Sequence, residues 1–74
     1  MKPRAKLHSI YPPADARWNP EEFGAWLRTV GRKLVDARLD VTLIPMVAGN
    51  ESLFLGIETD DATAQEVRRV LYLH

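Results

Sequence analysis

Three segments read as strands, the first by a broken apolar–polar alternation and the other two by apolar residues on both parities, and two segments follow a helical apolar stripe. "RAKLHSIY" (Arg4 to Tyr11) places Ala5, Leu7 and Tyr11 on one parity and Lys6 and His8 on the other. Ser9 and Ile10 break the pattern, and Pro12-Pro13 ends the strand. In "WNPEEF", Asn19 suits a helix N-cap and Pro20 the first helical position, while Glu22 completes a capping-box-like pair with Asn19. Trp18 and Phe23 fall at the two staple positions of the same start. The spacing of Phe23, Trp26, Leu27, Val30, Leu34 and Ala37 predicts a helix over 20–38, with Arg28, Arg32 and Asp36 on its opposite side.

Gly24 and Gly31 lie together on one flank of that helix. Each costs roughly 1 kcal/mol against alanine in a helix interior. Either another backbone passes close there or, as the simpler reading has it, the glycines are a tolerated weakness.

"DVTLIPMV" (Asp40 to Val47) and "SLFLGIET" (Ser52 to Thr59) flank a turn around Gly49-Asn50 and read as a β-hairpin. Pro45 has no N–H for a ladder, which suits an edge strand or a bulge. "DDATAQEVRRVLYLH" reads as a closing helix over 61–73. Asp60 and Asp61 favour its start, and "TAQE" at Thr63 is a second capping-box pattern. Ala64, Val67, Val70, Leu71 and His74 form its apolar stripe.

The order β-α-β-β-α, read as one α+β domain over residues 1–74, resembles a ferredoxin-like fold lacking its last strand. That resemblance is topological and implies a two-layer sandwich without implying a function. A right-handed first crossover sets the first strand beside the third and leaves the second outside, so a three-stranded antiparallel sheet of order 1-3-2 is expected. Pro45 then lies at an edge.

Both helices cover one face of such a sheet, and the other face has no covering element left. Leu53, Leu55 and Ile57 should face the helices. A hairpin loop of three or five residues puts Val41, Leu43 and Val47 with them and leaves Thr42, Ile44, Met46, Phe54 and Glu58 outside. A two-residue Gly-Asn loop would instead turn Ile44 and Met46 inward and leave Val41, Leu43, Val47 and Phe54 outside. The odd loop is preferred because its rows are wholly apolar inside. The competing expectation is that the amino-terminal segment or the Pro12–Arg17 loop folds over the open face.

Composition narrows the possibilities further. A chain of 74 residues without cysteine has neither a disulfide staple nor a thiolate metal site. It carries no apolar run long enough for a signal peptide or a membrane span, so a cytoplasmic protein is expected. Net charge is zero, yet residues 1–38 hold eight basic and four acidic side chains, while residues 39–74 hold two basic and six acidic. The halves therefore carry +4 and −4, a clue to a dipolar surface.

Candidate chemistry is sparse. His8 and His74 are the only histidines, and a zinc site would need carboxylates converging from distant positions, so no metal is expected. "ETDD" (Glu58 to Asp61) matches no EF-hand spacing and is better explained by helix capping. No nucleophile–base grouping or phosphate-cradling loop is present, so neither an enzyme nor a cofactor is expected.

These readings converge on a small protein-interaction module. It would be an adaptor, regulatory subunit or inhibitor, of the kind viruses also encode, that occupies a larger partner or pairs with itself through the open sheet face. Phe54, Ile44 and Met46 would be apolar anchors, and Arg28 and Arg32 steering charges. Burying three such side chains is worth roughly 5–9 kcal/mol, against an association cost of about 4–15 kcal/mol. Edge pairing or charge contacts must therefore add to them. The alternative is nucleic-acid binding through Lys2, Arg4, Lys6, Arg28, Arg32 and Lys33, with Tyr11 or Trp18 stacking on bases.

Overall fold

The computed structural model describes residues 5–72. Their elements are β1 (Lys6–Ile10), α1 (Ala14–Arg17), α2 (Pro20–Asp36), β2 (Thr42–Val47), β3 (Leu53–Thr59) and α3 (Asp61–Tyr72). The three strands form one antiparallel sheet in the order β1-β3-β2. The α+β architecture, the strand order and the edge position of Pro45 are those the sequence predicts. The proposed strand start at Arg4 and the apolar role of His74 lie outside the described residues.

Asn19 starts α2 as expected, its Oδ1 accepting from the N–H groups of Glu21 at 3.0 Å and Glu22 at 3.4 Å. Trp18, one of the two staple residues, is 61% exposed. It caps α1, a single turn in place of the expected loop, and Phe23 packs its ring on Trp26. Ala16 of α1 is buried, and Arg17 Nε donates to the Pro12 carbonyl, so the turn is anchored from both sides.

Helix α2 stops at Asp36, two residues before the predicted end. Arg38 takes a left-handed φ of 60°, the Arg38 N–H donates to the Val35 carbonyl and the Leu39 N–H to the Leu34 carbonyl. Those two bonds are the Schellman pattern, and Leu39 then packs against the core. An arginine in the position glycine usually fills hid this stop from a reading based on residue types.

At the start of α3 the N-cap is Asp60, whose carbonyl accepts from the Ala64 N–H. The Thr63 side chain, bonded to the Asp60 carboxylate, holds its pKa below the ordinary carboxylate value. The "TAQE" pattern therefore lies inside the helix, with Thr63 closing the cap that Asp60 opens.

The core is Ile10, Val30, Leu34, Leu55, Ile57 and Val67, drawn from β1, α2, β3 and α3. Every member is at most 3% exposed. Trp26, Leu27, Leu39, Val41, Leu43, Val70 and Leu71 pack around it, partly buried. Ile10, which interrupts the apolar parity of β1, is thus the residue that strand contributes to the core.

The hairpin has the odd register. Thr42 pairs with Glu58, Ile44 with Gly56 and Met46 with Phe54. Its turn bonds the Glu51 N–H to the Ala48 carbonyl, and Glu51 sits at φ 68°. This is a type I turn followed by a left-handed residue. Asn50 Oδ1 accepts from the Ser52 N–H and hydroxyl, fixing the return. One inward assignment fails: Val47 lies on the helix side by parity yet is 66% exposed. The pairing of β1 ends at Ile10 opposite Leu55, so the hairpin beyond Pro45 and Leu55 extends past the last β1 pair.

The two α2 glycines test the close-backbone reading directly. A Cβ on Gly31 would meet nothing within 4 Å, and one on Gly24 only the Arg28 guanidinium at 3.9 Å. The simpler reading holds. Gly31→Ala should therefore raise stability by about 0.5–1 kcal/mol, read from the urea midpoint at unchanged slope. A loss of stability would mean that the flank is occupied.

Candidate functional site

Alternation along β3 divides its side chains between two faces. Leu55 and Ile57 point into the helix layer and are fully buried. Phe54, Gly56 and Glu58 point the other way. Register then sets their neighbours. Across β2 these are Met46, Ile44 and Thr42; across β1 they are Ser9 beside Gly56 and Leu7 beside Glu58. Tyr11 continues β1 next to Phe54, with ring centroids 5.6 Å apart and planes tilted by 31°.

This face is open among the described residues. Leu7 is 53% and Tyr11 57% exposed, and Ile44, Met46 and Phe54 are partly exposed. The short helix α1, which could have folded over it, packs against α2 and β3 and leaves Tyr11 in solvent. The shortest dimension of the Cα trace, 17 Å, fits one sheet and one helix layer. A third layer would add about 10 Å.

Gly56 gives the face its relief. A Cβ built there would sit 2.8 Å from Met46 Sδ, 3.0 Å from Leu7 Cδ1 and 3.3 Å from the Ile44 carbonyl oxygen. Leu7 and Met46 therefore lean across the central strand from both sides and meet above the glycine. The result is an apolar surface already folded down, with the Tyr11–Phe54 ring pair at its hairpin end and Glu58 at the other.

Of the sequence-predicted site residues, Phe54, Ile44 and Met46 come together on this face. Arg28 and Arg32 do not join them. Both are exposed on the side of α2 away from Phe23, Val30 and Leu34, and so on the far side of the helix layer. Leu7 belongs to the face and was not singled out, and Tyr11, also on it, was named only as a residue that could stack on bases. The signal was present in the shared parity of Ala5, Leu7 and Tyr11, whose direction the sequence alone left open.

Among the described residues the basic side chains named for nucleic-acid binding do not share one face. Lys2 and Arg4 lie outside the described residues, and Lys6 points to the helix side, where Nζ is 3.1 Å from the Asp61 carboxylate. Lys33 is half-buried on α2. His8 sits beneath α3, with Nε2 3.3 Å from the Thr59 carbonyl oxygen and 3.6 Å from Asp61. Among the described residues no group of three or more metal-ligating side chains converges, and no helix is long and apolar enough to cross a membrane.

The crowding at Gly56 makes its own prediction. Valine favours strands in general, so Gly56→Val would stabilise an open site; here it should cost about 1–3 kcal/mol by chemical unfolding, because Leu7 and Met46 must be lifted off. A neutral or stabilising result would show that the two side chains are not packed over the strand. Comparison with protein-family models, with curated proteins and with solved structures finds no match to this chain.

Proposed function

We propose that this protein is a non-enzymatic interaction module whose working surface is the open sheet face. The observation that carries this reading is the cluster of Leu7, Tyr11, Ile44, Met46 and Phe54 on a side that no described element covers. A contiguous apolar surface of a few hundred Å² is at the upper end of what small monomers expose, and such patches often mark contact sites. Aromatic residues and methionine are also the types enriched at interfaces. Phe54, Ile44 and Met46 act as anchors, joined by Leu7 and Tyr11. Arg28 and Arg32 can bias the approach of an acidic partner at a distance, which alters association rate more than the lifetime of the contact.

Nucleic-acid binding fits less well. Among the described residues the open face contributes Glu58 and no cation, so phosphates would be repelled where Tyr11 and Phe54 would stack bases.

Phe54→Asp tests the reading, because an outward-facing position can carry a charge without disturbing Leu55 or Ile57 beneath the helices. The variant should keep the far-ultraviolet spectrum and cooperative unfolding of the parent. Binding to apolar partners or to a hydrophobic dye should fall by an order of magnitude or more, measured by titration. Undiminished binding would rule out this surface.

A further inference from the structure

The face also constrains what can sit on it. We propose that its occupant is a single amphipathic helix of a different protein, lying along the strands. An apolar residue of that helix rests on Phe54 and Tyr11, and a lysine or arginine about two turns along the same stripe pairs with Glu58. This rests on the interaction reading above and names the partner's chemistry.

Size comes first. Strands lie about 4.8 Å apart, so β1 and β2 are about 10 Å from each other across β3, which is the diameter of one helix. One helix fits this width.

Charge decides against a second copy. Glu58 is exposed on the open face between Leu7 and Thr42, and among the described residues the face offers it no cation. Lys6, the nearest basic residue along β1, points to the opposite side and is held by Asp61. Face-to-face pairing of two copies would bring two Glu58 carboxylates into a shared apolar contact with only serine and threonine to meet them. Burying unpaired carboxylates is costly enough to oppose that arrangement. An occupant must bring the cation itself.

Geometry sets its place. Phe54 and Glu58 are four residues apart on one strand, about 13 Å. Two helical turns advance about 11 Å and return a side chain to the same face, and a long basic side chain spans the remainder. The Gly56 position, over which Leu7 and Met46 close, lies between the two anchor points.

The experiment uses two synthetic helical peptides with the same leucine stripe. One carries lysine and the other glutamate two turns from the central leucine. Each is titrated into the isotope-labelled full chain and followed by amide shifts. The lysine peptide should bind about tenfold more tightly, with shifts centred on Tyr11, Ile44, Phe54 and Glu58 and a difference that shrinks in high salt. Glu58→Gln should abolish the preference and Glu58→Lys reverse it. Equal binding of both peptides to the parent chain, binding of neither, or a concentration-dependent dimer abolished by Phe54→Asp would overturn the proposal. If Phe54→Asp abolishes peptide binding while the Glu58 variants change nothing, the interaction face stands and the helix with its cation falls. If Phe54→Asp is also silent, both fall.

Discussion

A pleated strand sends alternate side chains to opposite faces, and in this molecule that rule acts most strongly on β3. The strand is central, so its two sides are fixed by ladders to β1 and β2 at once. Leu55 and Ile57 fill the core beneath the helices, and Phe54, Gly56 and Glu58 are left on the other side. A slip of one residue in either ladder would exchange the two sets. The turn at Ala48–Ser52, with its Asx contact and the left-handed Glu51, therefore does more than reverse the chain. It decides which side chains the protein presents.

From that constraint the rest follows in order. One layer of helices can cover one face, and the core built there draws on β1, α2, β3 and α3. The opposite face keeps Leu7, Tyr11, Ile44, Met46 and Phe54 in partial contact with water. Gly56 lowers the cost of that exposure by letting Leu7 and Met46 close over the centre. The surface is consequently organised before anything binds, which reduces the ordering a partner must drive.

Much of this architecture was legible in residue order. Asn19 and Pro20 marked a helix start, Pro45 an edge strand, and the alternation of Leu53, Leu55 and Ile57 a buried face. What escaped was held by backbone conformation, which residue type reports poorly. Arg38 and Glu51 both adopt left-handed φ without being glycine, so the end of α2 and the form of the turn were not marked where they occur. The one-turn α1 follows two prolines and is too short for a periodic pattern to reveal. Leu7 was missed, and Tyr11 was not placed on the apolar face, for a different reason. Their shared parity was visible, but only the pairing of Leu7 with Glu58 and of Ile10 with Leu55 shows which way that parity points.

Solvent contact at the open face is the claim on which the functional account stands. It is measured most directly by the relaxation that a soluble nitroxide imposes on side-chain protons of the free protein. The methyl groups of Leu7, Ile44 and Met46 and the ring of Tyr11 should broaden strongly, while those of Leu55, Ile57 and Val67 stay sharp. Equal protection of both sets would show the sheet to be covered on both sides, and the docking surface would not exist.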